Sequence, residues 1–273
     1  DDRRQRDFLL FEAARKGCVE IVARLLDRGA SIEARNAIGN TPLAVAAAAG
    51  RRRVVALLLD RGADIDRPDL RGATPLLKAV KAGRRGVVRL LVRRGADVGR
   101  SDEKGVTPLA AAAFNGSDAL VGLLLEAGAE PDPVDAFGQS PIVFAAARGF
   151  TAIVGRLLDA GVDPARRYGH GLTALMWAAG YTDDTPAAEG VATTRLLLER
   201  GAPLDARDDR GMTALMIAAE RGHPRIVDLL LEAGADPTLR DRRGRTAADL
   251  VTDAGLRRRL EEAAAGDFQK AAK

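Results

Sequence analysis

The apolar residues of this chain fall in short blocks that alternate in texture. One block is small and alanine-rich, as around Ala46-Ala47, Ala112-Ala113, Ala178-Ala179 and Ala218-Ala219. The next is denser and more branched, as in Val54, Val55, Leu57, Leu58 and Leu59. Each block has the length and spacing of a short helix with one buried stripe. Thr or Ser stands before the first block and caps it by accepting a backbone N–H. Pro follows where a helix needs no donor. A glycine closes the first helix at Gly50, Gly83, Gly116, Gly149 and Gly222. A Gly-Ala pair closes the second. The polar stretch that follows, with Asp, Pro and Gly, is too short for a third helix and reads as a projecting turn or hairpin.

This grammar recurs. Thr41-Pro42-Leu43 returns as Thr74-Pro75-Leu76, Thr107-Pro108-Leu109, Ser140-Pro141-Ile142, Thr173-Ala174-Leu175, Thr213-Ala214-Leu215 and Thr246-Ala247-Ala248, at steps of 33, 33, 33, 33, 40 and 33 residues. Gly29-Ala30, Gly62-Ala63, Gly95-Ala96, Gly128-Ala129, Gly161-Val162, Gly201-Ala202 and Gly234-Ala235 keep the same phase. A fixed period of this size marks a stack of supersecondary units, each burying its apolar face only against its neighbours.

In length and motif the chain resembles the ankyrin-repeat family. The resemblance rests on the openings Asp69-Leu70-Arg71-Gly72-Ala73-Thr74-Pro75-Leu76 and Asp102-Glu103-Lys104-Gly105-Val106-Thr107-Pro108-Leu109. The middle and end are carried by Ala218-Ala219-Glu220-Arg221-Gly222-His223 and Leu229-Leu230-Leu231-Glu232-Ala233-Gly234-Ala235-Asp236. The resemblance implies an all-α solenoid of stacked helix-turn-helix units with short β-hairpin turns. It divides the single domain 1–273 into an N-terminal cap repeat at 4–35, repeats at 36–68, 69–101, 102–134, 135–167, 168–207 and 208–240, and a C-terminal cap at 241–273. Terminal units have one neighbour, so their outer sides are expected to be polar, as Arg257-Arg258-Arg259 and Glu261-Glu262 suggest. One departure is systematic: the family's His after Thr-Pro-Leu is replaced by Ala44, Leu77, Ala110, Val143, Met176 and Met216.

Composition adds limits. Apolar residues make up 47% of the chain but aromatics only 4%, so burial falls to Ala, Leu and Val. Arg outnumbers Lys 36 to 6, a bacterial type of composition. The net charge is +4 with basic residues spread along the chain, which favours solvated surface over nucleic-acid binding. A single cysteine, Cys18, rules out an intrachain disulfide. No apolar run is long enough to cross a membrane. A start at Asp1 without Met and the lone cysteine favour a periplasmic or secreted location, with cytoplasmic as the alternative.

In such a stack, function belongs to the surface that stacking leaves over. The family resemblance implies a concave face formed by the turn tips and the open side of each first helix. Phe114, Phe137, Phe144, Tyr168 and Trp177, five of only ten aromatics, project onto or beside it in consecutive repeats. His170, Arg210 and Ile217 share the projection. Contiguous apolar surface marks interfaces, and aromatic side chains dominate their energetics. The 40-residue repeat adds a second signal. Its seven extra residues fall between the two helices, in the segment 181–190, which reads as a loop bearing Tyr181, Asp183 and Asp184 at the edge of the aromatic stretch.

The expected partner is therefore another protein, held at these residues. The alternatives are a non-catalytic accessory subunit of an enzyme complex and a basic surface for nucleic acid, the latter through Arg71, Lys78, Lys81 and Lys104. No phosphate loop, metal-binding His pair or nucleophile–base pattern is present; His170 and His223 lie 53 residues apart. No catalysis, cofactor, metal or small-molecule substrate is expected.

Overall fold

The computed structural model describes residues 3–181 and 185–266. Among these there are fifteen α-helices, the first fourteen following one another in pairs with α15 unpaired after them, and no sheet forms. The chain divides into two compact units, residues 1–136 and 137–273. The first unit holds α1 (Arg3–Lys16), α2 (Val19–Asp27), α3 (Pro42–Ala49), α4 (Arg52–Asp60), α5 (Pro75–Lys81), α6 (Arg85–Arg93), α7 (Pro108–Phe114) and α8 (Asp118–Glu126). The second holds α9 (Pro141–Ala147), α10 (Thr151–Asp159), α11 (Ala174–Ala179), α12 (Ala187–Glu199), α13 (Ala214–Arg221), α14 (Pro224–Glu232) and α15 (Ala254–Ala264).

Within each unit, first helices pack on first helices and second helices on second. The first unit has α1 on α3, α3 on α5 and α5 on α7, with α2, α4, α6 and α8 in a parallel row. The second repeats the pattern with α9, α11 and α13 beside α10, α12 and α14. This is the solenoid that the period implies. Leu43, Leu76 and Leu109 in one unit, and Ile142, Leu175 and Leu215 in the other, are buried, each flanked by buried alanines that permit close helix approach. The caps work as the sequence suggests: the hydroxyls of Thr41, Thr74, Thr107 and Thr213 each accept from the third amide of the following helix at 3.2–3.3 Å. Ser140 differs. Its hydroxyl is buried without a partner, and it adds no side-chain cap to α9.

A second link joins consecutive repeats. The Arg51 guanidinium donates to the Arg15 carbonyl at the end of α1 (2.8 Å), and Arg84 does the same to Ala48 at the end of α3 (3.0 Å). The Asn115 amide reaches the Lys81 carbonyl (3.2 Å). In the second unit His223 Nδ1 donates to Ala179 (2.9 Å). Each satisfies a carbonyl that a helix C-terminus leaves without an internal partner.

The turns project without forming paired strands. One backbone bond ties each to the next: Leu70 N–H to Ile38 O, Glu103 to Arg71 and Ala136 to Lys104 in the first unit, at 2.9–3.2 Å. Gly169 to Gly138, Asp209 to His170 and Arg242 to Arg210 continue the pattern in the second, at 2.8–3.0 Å. The short β-hairpins of the expectation are thus turns, with one isolated antiparallel bridge, Arg167–Thr173, among the described residues.

The seven extra residues are not simply a loop. The other second helices have nine residues, whereas α12 has thirteen, so 187–190 extend it at its N-terminal end. Pro186, with its fixed φ, stands just before the extension. Residues 182–184, and with them Asp183 and Asp184, lie outside the described residues.

Candidate functional site

The projecting turns share one piece of chemistry. In the repeat at 69–101, one carboxylate oxygen of Asp69 accepts the amides of Arg71 and Ala73, both at 2.9 Å. Asn36, Asp102, Asp208 and Asp241 do the same in their turns. An acceptor two and four residues back holds the tip in one shape. In the repeat at 168–207 the position belongs to Tyr168, which has no carboxylate to offer. The turn still closes through Tyr168 N–H to Leu172 O at 2.9 Å. His170, at its tip, adopts φ 61°, the only positive φ of a described non-glycine residue. Left-handed backbone costs a side-chain-bearing residue about 1 kcal/mol, so this tip is held in a conformation its neighbours avoid. His170 is exposed there.

The aromatic candidates separate into exposed and packed groups. In the second unit Phe137 occupies a turn tip and is 66% exposed. Phe144 on α9 and Trp177 on α11 are half-buried. The Trp177 indole N–H is sealed from solvent and has no acceptor among the described residues. Such a donor normally finds a partner. Arg210 is exposed at its tip and pairs with Asp208 at 2.8 Å. In the first unit Phe114, at the end of α7, is half exposed.

Three candidates belong to the packing. Tyr168 is only 7% exposed, with the Arg166 guanidinium 5.6 Å above its ring. Its position supplies the turn's inner anchor, so an aromatic there turns inward. Ile217, projected onto the open side of α13, is 6% exposed. A Cβ at Gly180 would lie 2.8 Å from its Cγ2, so the missing side chain at Gly180 lets Ile217 settle against α11. Tyr181 stacks on the His223 ring, centroids 3.8 Å apart and planes 3° from parallel. It also lies against α12 where Gly190 leaves room; a Cβ there would come within 2.3 Å of the ring. The two rings line a hollow of about 340 Å³ with Ala187, Val191 and Ile226.

The basic cluster of the first unit takes a form that sequence did not reveal. Lys78 pairs with Asp69 at 2.6 Å and Lys81 with Asp102 at 2.8 Å. Burial alone would raise both carboxyl pKa values. The lysine ammonium and the turn amides outweigh it and hold both below the ordinary Asp range. The lysines therefore brace the turns and contribute little free positive field. A groove of about 620 Å³ runs past them, lined by Ile38, Leu70, Arg71 and Lys104. Ile38 and Leu70 are exposed, apolar tips that the sequence reading did not single out. Their signal was position alone, one or two residues before the turn glycine.

Comparison with known proteins places this geometry. A family model described as ankyrin repeats in three copies matches residues 2–69, 68–135, 109–189 and 142–241. The human and mouse "Ankyrin repeat domain-containing protein 63" are 51% and 49% identical to the chain over 59 residues. That stretch is 22% of this chain but only 15% and 14% of those relatives. These relatives are mammalian and give no support to the bacterial origin that composition suggests. Among solved structures, the human ASB11 ankyrin repeat domain superposes with a TM-score of 0.72 at 28% identity, covering 82% of this chain and 98% of that one. The period, the capped helix pairs and the anchored turns agree with these matches: the chain belongs to the ankyrin-repeat family.

Proposed function

We propose that this protein is a non-catalytic interaction module that holds a protein partner on the open face of its second unit, around Phe137, Phe144 and Trp177. The family is generally one of interaction modules, and no helix among the described residues is long and apolar enough to cross a membrane. The observation that carries the reading is the Trp177 indole: a donor held out of water with no acceptor among the described residues, on a half-buried ring of the same unit that exposes Phe137. A buried polar group without a partner costs about 1–3 kcal/mol, and an acceptor from a partner, reached by a small ring rotation, recovers it. His170 and Arg210 supply polar contacts at neighbouring tips. The nucleic-acid alternative is disfavoured because Lys78 and Lys81 are already neutralised.

The test is affinity capture with the intact chain, followed by mass spectrometry and titration against the captured partner. Phe137→Ala, at an exposed tip, should weaken binding at least tenfold with the melting temperature unchanged. Trp177→Phe keeps the ring and removes the N–H; it should weaken binding while slightly stabilising the free protein. A partner that binds both variants as tightly as the parent rules this face out.

A further inference from the structure

The first helix pair breaks the rule that the rest of the stack obeys. In register, Phe8 stands where later repeats have Thr41, Thr74, Thr107, Ser140, Thr173 and Thr213, all buried. Leu9 stands at the position of Pro42, Pro75, Pro108, Pro141, Ala174 and Ala214, again buried. Ile21 stands at the position of Val54, Val87, Leu120, Ile153 and Ile226, none more than 2% exposed. Yet Phe8 is 64% exposed, Leu9 45% and Ile21 51%. They are apolar stacking positions on α1 and α2 that no described residue covers. Phe8 and Phe11 also border a hollow of about 510 Å³.

The edge of this surface says what would cover it. Along the second helices, an Arg just past one helix pairs with a carboxylate at the end of the helix before it: Arg61 with Asp27, Arg94 with Asp60, and Arg200 with Asp159, at 2.6–2.8 Å. Arg28 holds the same register position as Arg61 and Arg94. It is exposed and has no carboxylate partner among the described residues. Arg3, Lys16 and Arg24 are likewise exposed and form no ion pair with a described residue. Of the described acids nearby, Glu12 is paired with Arg15 and Asp27 with Arg61, leaving Asp7, which accepts the Ser31 amide, and Glu20 against these four cations. The described rim is therefore net cationic.

Two occupants are disfavoured by the same residues. A second copy in head-to-head contact would bring together two edges that each carry Arg3, Arg24 and Arg28, and an excess of like charge across an interface is unfavourable. A further repeat of this kind would need a turn before α1. The turn glycine, with φ between 72° and 80° in Gly39, Gly72, Gly105, Gly138, Gly171, Gly211 and Gly244, is replaced in register by Arg6, inside α1. We propose that the α2 side of this surface docks an amphipathic helix of a partner protein, whose apolar stripe covers Ile21 and whose terminal carboxylate pairs with Arg28. It is a second docking surface, independent of the one around Phe137.

The test uses the intact chain and a stapled, fluorescent helical peptide with the sequence of α8. That helix is apolar between Asp118 and Glu126, and Glu126 stands at the register position of Asp27 and Asp60. Anisotropy titration should show saturable binding. Ile21→Glu and Arg28→Glu should each weaken it about tenfold or more, and a peptide ending in Lys instead of Glu should recover affinity for the Arg28→Glu protein. Phe137→Ala should leave it unchanged. Both substituted side chains are exposed, and melting curves verify that folding is intact. Absence of saturable binding, or binding indifferent to Ile21 and Arg28, overturns the proposal. So does a sedimentation experiment in which the chain self-associates and Ile21→Glu dissociates it, because a second copy is then the occupant.

Discussion

The last described helix, α15, and the first pair, α1 and α2, handle the same physical problem in opposite ways. Each has a neighbour on one side only. On α15, Leu256 and Leu260 turn inward and are buried, while Arg257, Arg258, Glu261 and Glu262 are exposed. At the register position that holds Ile226 one repeat earlier, α15 carries Arg259, which grips both oxygens of Asp228 at 2.8–2.9 Å. No large apolar residue among the described residues after Phe137 is strongly exposed. The first pair instead keeps an interior residue, Ile21, at that position and leaves it in water. A paired Arg at the stacking position, among exposed charged neighbours, makes this a surface that water satisfies, where Ile21 makes one that invites continuation.

Substitution at this shared position gives the largest contrast. Ile226→Ala should cost about 2–4 kcal/mol because it opens a cavity between repeats, whereas Ile21→Ala should cost less than about 1 kcal/mol. Denaturant melts of the two variants measure the difference, and equal losses would mean that Ile21 is packed after all. Leu260→Ala comes next, at about 2 kcal/mol, since α15 packs on one side only. Hydrogen exchange should then show faster opening of α15 than of α1. Arg259→Ala should cost about 1 kcal/mol, a value suited to a partly exposed ion pair made through one guanidinium nitrogen, and the loss should shrink in high salt.

The smallest effect is one of pH. Burial would raise the Asp241 pKa, but the Arg245 and Arg243 amides and the Arg245 guanidinium outweigh it and lower it. A carboxyl whose folded pKa is depressed adds stability above its unfolded pKa and loses it as pH falls through the folded one. Acidification below the ordinary Asp range should therefore loosen the turn at 241–245, read as loss of amide protection there. The register equivalent of Asp241 in the first pair is Arg3, so the start of α1 has no such carboxylate to lose. Asp69 and Asp102 should behave as Asp241 does, while the Tyr168 turn should not respond.

The period, the caps and the terminating glycines could all be read from sequence because each is a local requirement repeated seven times. Thr-Pro encodes a helix start whatever surrounds it. The misplaced residues depend on their neighbours. Ile217 lies on the open side of α13 by register, but Gly180 on α11 removes the side chain that would have kept it out. Tyr168 follows the repeat pattern in position and breaks it in chemistry, and its turn holds the left-handed His170. The extension of α12 into the inserted segment needs the Tyr181 ring, which fits because residue 190 is glycine. The pairing of Lys78 with Asp69 joins residues nine apart across a turn, a contact invisible in a list of positive charges.

The arginines that finish the preceding helix give the array a direction in time. The carbonyl at the end of α1 is satisfied by Arg51, and the one at the end of α3 by Arg84, each 36 residues further along the chain. A repeat emerging from a ribosome is thus incomplete until most of its successor has been made. At both junctions the first helix keeps an open carbonyl until the start of its successor's second helix is in place.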